Sequence, residues 1–110
     1  PADKIASEVA TMKYVAQNTS IRVPEVYDWD SEAQNDIKIP YILMEYLPGT
    51  QLHKVLGQIE HEQKRSVLSQ MVNVLSELWK CKFEKLGCIY KKSPNSSLRE
   101  LFKNVQYFVL

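Results

Sequence analysis

The stretch YILMEYLPG, residues 41–49, joins a run of strand-forming residues to a turn signal. Its nearly continuous apolar run over residues 41–47 predicts a strand that is buried on both faces. Glu45 interrupts the run, and Pro48-Gly49 ends it, since this dipeptide is typical of a turn. The stretch therefore raises a physical question, which is why a buried strand carries a carboxylate just before it stops.

The size and charge of the chain narrow its class. Its 110 residues give room for one small domain, and 45% hydrophobic with 25% charged residues is the composition of a globular protein. A net charge of +1 gives no electrostatic reason to expect nucleic acid or an anionic membrane surface as a partner. No run approaches the roughly 18 apolar residues of a membrane span, and no apolar signal segment opens the chain. We therefore expect a soluble, cytoplasmic protein.

The cysteines and histidines do not form a metal pattern. Cys81 and Cys88 lie seven positions apart, which matches neither a redox Cys-x-x-Cys pair nor half of a zinc site. His53 and His61 add no ligand spacing. We therefore expect reduced thiols and no metal site in this chain.

Residues 21–29 and 41–47 read as two strands of a hairpin. Val23 and Val26 suit the first strand, and Pro24 either begins it or marks it as an edge. The polar residues 31–38 between the strands read as a loop. Strand, polar loop and strand at this spacing predict an antiparallel pair.

Residues 3–18 read as an amphipathic helix. Four apolar residues recur along it at three- and four-residue steps: Ile5, Val9, Met12 and Ala16. On a helical wheel Glu8 falls between Met12 and Val15, inside this stripe or at its margin. Its carboxylate either reaches solvent from the shoulder of the helix or is held inward for a cationic partner, because a buried charge must be paired.

The second half of the chain is predicted to be mainly helical. Residues 51–56 suit a short helix, and residues 60–82 form the longest one, whose broad apolar arc predicts packing against more than one neighbour. Residues 83–90 read as a turn with a short strand. Ser97 and Glu100 form a capping-box pattern that opens a further helix. The apolar stripe of that helix comprises Leu98, Leu101, Phe102, Val105 and Val109.

Four segments in this order resemble the aminoglycoside phosphotransferase family, most closely its fungal branch of kinase-like proteins. They are KIASEVATMKYV (4–15), IRVPEVYDWD (21–30), IPYILMEYLPGTQL (39–52) and LSELWKCKFEKLGCIY (75–90). The resemblance implies an α+β chain, a partial protein-kinase-like fold with a short antiparallel sheet, one N-terminal helix and then a helical segment. Residues 1–110 would form a single partial domain. Residues 3–47 would end the N-terminal lobe, and residues 48–110 would leave the hinge and begin the helical C-terminal lobe.

The resemblance also assigns roles to individual residues. Glu8 stands where the family has the glutamate that pairs with the phosphate-positioning lysine, which would lie before residue 1. Met44 takes the position at the back of the adenine pocket, and Glu45, Tyr46 and Leu47 form the hinge between the lobes. By that analogy the Glu45 carbonyl accepts from the adenine amino group and the Leu47 N–H donates to a ring nitrogen. The Glu45 side chain would then be free to face water, which answers the opening question.

The departures from the family are as informative as the matches. The phosphate-covering hairpin, the His-Gly-Asp catalytic loop with its following Asn, and the later metal-binding Asp do not occur in these residues. The resemblance therefore implies a fragment of an enzyme that moves the γ-phosphoryl group of ATP to a hydroxyl-bearing small molecule. ATP and Mg would bind only to the full-length parent, and the chain alone would be inactive.

Two other interpretations stay open at this point. The chain is also consistent with a non-catalytic kinase-like remnant that acts as a binding or interaction module and self-associates through exposed apolar surface. An unrelated small α+β domain would explain the same motifs as packing alone.

Overall fold

The computed structural model describes residues 2–91 and 107–109. Within them the chain forms three helices and four strands in two separate sheets, which agrees with the predicted α+β class. The elements in chain order are α1 (Ala2–Asn18), β1 (Val26–Asp30), β2 (Tyr41–Met44), α2 (Leu52–Val55), α3 (His61–Lys80), β3 (Ile89–Lys91) and β4 (Tyr107–Val109).

The predicted antiparallel hairpin is confirmed in β1 and β2. Val26 lies opposite Met44 and Asp30 lies opposite Tyr41, with an irregular register between Val26 and Asp28. Both strands are shorter than predicted. β1 begins at Val26, two residues after Pro24, whose nitrogen carries no hydrogen for a ladder bond. β2 ends at Met44, and residues 45–47 continue without regular strand structure.

The prediction that β2 is buried on both faces is wrong for the described residues. Leu43 is 55% exposed and Met44 is 39% exposed. The reason is that α1 packs against both strands of the hairpin, whereas neither of the other described helices covers the hairpin extensively. An apolar run therefore marks burial only when the protein supplies a second cover.

The core among the described residues lies under α1. Val9 and Ala10 are each 2% exposed, and they line a cavity of about 130 Å³ with Ala6, Lys13, Trp29 and Tyr90. The buried face is rotated from the predicted stripe, since Ala16 at the end of that stripe is exposed.

Helix α3 extends away from this core. Its N-terminus is held by Gln63, whose side-chain oxygen accepts from the Glu60 N–H at 2.9 Å. The expected packing against several neighbours is not found in the part of the chain that the structure describes. The exposed apolar side chains of α3 are Leu68, Met71, Val72, Val74, Leu75, Leu78 and Trp79.

The C-terminal end of α3 is joined to the end of α1. The Ser20 N–H donates to the Glu77 carboxylate at 3.1 Å, and the rings of Tyr14 and Phe83 lie 5.2 Å apart. Burial, together with the neighbouring Cys81 thiol and its hydrogen bond, raises the pKa of the Tyr14 phenol. These contacts fix where the helical half of the chain begins relative to α1.

The last described element corrects the prediction for the C-terminus. Val109, predicted to lie on a helical stripe, belongs to β4, where it pairs antiparallel with Ile89 of β3. An aromatic and β-branched sequence such as Tyr107–Val109 suits a strand once a partner strand is available. The predicted capping box and the other stripe residues lie outside the described residues. Cys81 and Cys88 are free thiols, as expected.

Candidate functional site

The chain leaves the hairpin at Glu45. The Glu45 N–H donates to the Glu25 carbonyl at 2.8 Å, which adds one rung beyond β2. Among the described residues, no backbone hydrogen bond engages the Glu45 carbonyl or the Leu47 N–H. The Glu45 carbonyl and the Leu47 N–H, an acceptor and a donor two residues apart, therefore lie outside the backbone hydrogen bonds of the hairpin.

The Glu45 carboxylate is not free to face water, so that expectation is wrong. One of its oxygens pairs with the Arg22 guanidinium, and the other accepts from the Glu25 N–H at 3.1 Å. The Glu45 side chain is 25% exposed, and Arg22 also donates to the Val23 carbonyl at 3.2 Å. The carboxylate therefore ties residues 22–25, which precede β1, to the residue that follows β2.

These contacts shift the pKa values of Glu45 and Arg22. The hydrogen bond from Arg22 lowers the pKa of the Glu45 carboxyl, the Glu25 N–H lowers it further, and partial desolvation opposes both. The same hydrogen bond from Glu45 raises the pKa of Arg22. Both groups are therefore charged at neutral pH.

Glu8 lies on the exposed side of α1. At roughly 100° per residue it points about 160° away from Ala10, which is buried. Its carboxylate is 3.8 Å from the Lys4 ammonium, and the two side chains are 47% and 71% exposed. Of the two orientations left open by the sequence, this chain has the one that reaches solvent. The predicted pairing of Glu8 with a lysine outside this chain stays a prediction.

The remaining predicted site residues form one exposed segment. Tyr46 is 84% exposed, and Met44 and Leu47 are 39% and 36% exposed. No hydrogen bond or ion pair in the described ranges joins Glu8 to them. Their predicted contact with adenine stays a prediction.

Sequence reasoning missed Arg22 and Glu25. Neither residue lies near Glu45 in the chain, and no local motif links them. The hairpin register contained the signal, because one further pair beyond Val26 and Met44 places Glu25 opposite Glu45 and brings Arg22 within reach.

Neither a metal-binding cluster nor a membrane-spanning helix is found among the described residues. They contain no group of three or more His, Cys, Asp or Glu side chains that could hold a metal ion. No described helix combines the length and apolar character needed to cross a membrane.

Curated relatives of the chain are fungal proteins. It is 32% identical to "Altered inheritance of mitochondria protein 9, mitochondrial" of Meyerozyma guilliermondii over 91 residues, which cover 81% of this chain and 15% of that protein. The protein of the same name from Yarrowia lipolytica is 32% identical over 100 residues, covering 86% of this chain and 17% of that protein. A subtelomeric hrmA-associated cluster protein of Aspergillus fumigatus is 28% identical over 87 residues, covering 79% and 17%.

These relatives correct one expectation and support another. The chain spans only 15% to 17% of their length. The expected cytoplasmic location is wrong, because the names of the Meyerozyma and Yarrowia relatives describe mitochondrial proteins. No solved structure matches the chain. The profile of the phosphotransferase enzyme family, which was the family suggested by the four sequence segments, matches residues 1–104, and the chain therefore belongs to that family.

Proposed function

We propose that this chain is part of an ATP-dependent phosphotransferase that moves the γ-phosphoryl group of ATP to a hydroxyl group of a small molecule. Family membership supports the reaction class. The observation that carries the proposal is the hinge, where the Glu45 carbonyl and the Leu47 N–H have no backbone partner in the described residues. That acceptor and donor match the amino group and ring nitrogen on one edge of adenine.

The hinge would bind and orient the nucleotide. The Glu45 carbonyl accepts from the amino group, the Leu47 N–H donates to the ring nitrogen, and the half-exposed Met44 side chain adds apolar contact. ATP, when bound, supplies the phosphoryl group. Because phosphoryl transfer depends mainly on positioning and electrostatic stabilisation, a residue that aligns the base contributes to the reaction without touching phosphate.

Glu8 has a different role in the proposal. Its carboxylate is exposed and holds only a long contact to Lys4, so it is available to a cation from elsewhere in the full-length protein. We propose that this cation is a lysine that contacts phosphate oxygens, as the family pattern implies. The ion pair would fix the lysine in place.

The remaining machinery would come from outside residues 1–110. The His-Gly-Asp loop does not occur in this sequence, and the described residues contain no group of three or more side chains that could hold a metal ion. The chain by itself should therefore be inactive. The names of two fungal relatives support a mitochondrial location for the full-length protein.

Turnover by the full-length protein tests the proposal. Phosphorus NMR would follow Mg-ATP with a panel of amino sugars, amino alcohols and sugars as acceptors. We expect ADP together with a phosphate ester of one acceptor class. A folded full-length protein that produces neither would contradict the enzyme assignment.

A non-catalytic binding module is the second candidate, and one observation favours it. Helix α3 exposes a broad apolar face in the described chain, including Leu75 at 63% and Trp79 at 80% exposure. Patches of this kind mark interaction surfaces or surfaces covered by another part of a protein. A full-length protein that binds no ATP but dimerises, and loses its dimer on Leu75→Gln in sedimentation velocity, would support this candidate.

A further inference from the structure

The Glu25–Glu45 pair differs from an ordinary antiparallel pair in one bond. In a hydrogen-bonded pair each residue donates its N–H to the carbonyl of the other. Here the Glu45 N–H donates to the Glu25 carbonyl at 2.8 Å, as the pattern requires. The return bond from the Glu25 N–H goes instead to a carboxylate oxygen of Glu45, at 3.1 Å. The side chain of Glu45 thus takes the place of its own carbonyl.

Arg22 holds the carboxylate in this substitute position. Its guanidinium pairs with the second carboxylate oxygen and also donates to the Val23 carbonyl at 3.2 Å. Both oxygens of Glu45 are therefore used on one short segment, residues 22–25. The side chain is only 25% exposed, although the hinge around it is open.

We propose that Glu45 is a positioning residue whose carboxylate satisfies the Glu25 N–H and thereby keeps the Glu45 carbonyl available to the adenine amino group. Arg22 acts through Glu45 by fixing the carboxylate. The proposal rests on the proposed nucleotide-binding function and deepens it. It also gives a chemical reason for an acidic residue at the end of β2.

The chemistry of the side chain makes graded predictions. Glu45→Ala removes the substitute acceptor. The Glu25 N–H then turns to the backbone carbonyl of residue 45 and competes with the adenine amino group for it. Glu45→Gln keeps one oxygen for the Glu25 N–H but places an amide group against the Arg22 guanidinium, donor against donor. Arg22→Gln leaves the carboxylate in place without its anchor. Glu45→Ala should weaken nucleotide binding most, and Glu45→Gln and Arg22→Gln should weaken it less.

Binding of two ligands to the full-length protein separates positioning from general damage. Mg-ATP uses the hinge and the phosphate site, whereas Mg-tripolyphosphate has no base and uses only the phosphate site. We expect Glu45→Ala to raise the Kd for Mg-ATP about three- to tenfold, the effect of losing about one hydrogen bond. The Kd for Mg-tripolyphosphate should stay unchanged, as measured by isothermal titration calorimetry.

The control is Glu32→Ala, which removes an exposed carboxylate from the loop of the same hairpin. Among the described residues the Glu32 carboxylate accepts no hydrogen bond, so both Kd values should stay at the wild-type level. Should Glu45→Ala fail to fold, Arg22→Gln changes only an exposed side chain, and it should weaken Mg-ATP binding in the same direction.

Each possible result supports or contradicts the positioning role of Glu45. Equal weakening of both ligands, or unchanged Mg-ATP binding in the Glu45 and Arg22 variants, would overturn the positioning role and leave the proposed function standing. A folded wild-type protein that binds no Mg-ATP would overturn the proposed function, and the positioning role with it. Selective loss of Mg-ATP binding supports both.

Discussion

Gly49, in the irregular segment between β2 and α2, tests how strictly this backbone is defined. Its φ of +154° lies where residues with side chains are rarely found. A Cβ atom added at this position would meet no atom within 4 Å, so Gly49→Ala introduces no collision. The whole cost is backbone strain, which is about 1–3 kcal/mol for a residue held in such a region.

Gly57 provides a matched control. A Cβ there also meets nothing within 4 Å, but its φ is not positive. Gly57→Ala should therefore leave stability unchanged or raise it by up to about 1 kcal/mol, because alanine restricts the unfolded chain. The difference between the two variants isolates the backbone conformation, since both sites are equally open.

Urea unfolding of the full-length wild-type and variant proteins, followed by tryptophan fluorescence, measures that difference. We expect Gly49→Ala to unfold at a lower urea concentration than wild type, with Gly57→Ala at or above it. Equal midpoints for the two variants would refute the argument, because they would show that position 49 does not need the conformation described here.

Three further predictions follow from single contacts. Val9→Ala removes two methyl groups from the most buried side chain of α1 and should lower the free energy of unfolding by about 2 kcal/mol, measured by thermal unfolding. The lowered pKa of Glu45 means that its contact with Arg22 stabilises the fold above the ordinary glutamate pKa of about 4.3, and that this contribution is lost as the pH falls through the folded-state value. The Tm difference between wild type and Glu45→Gln should accordingly be largest near neutral pH and vanish in acid, whereas a difference that persists in acid would contradict it. Gln63→Ala should lower stability by about 0.5–1.5 kcal/mol because the Glu60 N–H loses its acceptor, while Gln63→Glu, which retains an oxygen, should match wild type in the same thermal assay.

The sequence predicted the helices and strands more accurately than it predicted the burial of their side chains. Helix α1, the antiparallel hairpin and the long helix α3 all follow from local patterns, because periodicity and turn residues act over a few positions. Burial did not follow in the same way. The apolar run at β2 predicted two covered faces, and Leu43 is instead 55% exposed, since cover comes from distant parts of a protein.

The candidate site shows the same contrast between features set by local sequence and contacts between distant residues. The break after the apolar strand is readable from Pro48-Gly49, whereas the assignment of residues 45–47 as a hinge comes from the family resemblance and stays a prediction. In the described chain the Glu45 carbonyl and the Leu47 N–H have no backbone hydrogen bond. The role of the Glu45 carboxylate was not readable, because its partner Arg22 lies 23 residues away and reaches it only through the hairpin. A charge that looks out of place in a local pattern is thus explained by a contact that no local pattern contains.

Amide hydrogen exchange at Leu47 in the full-length protein, with and without Mg-ATP, tests the central claim most directly. The Leu47 N–H has no backbone partner among the described residues, so it should exchange quickly in the free protein. If the hinge binds adenine, exchange at Leu47 slows when Mg-ATP is added and stays fast with Mg-tripolyphosphate. Unchanged exchange at Leu47 under saturating Mg-ATP would contradict the account.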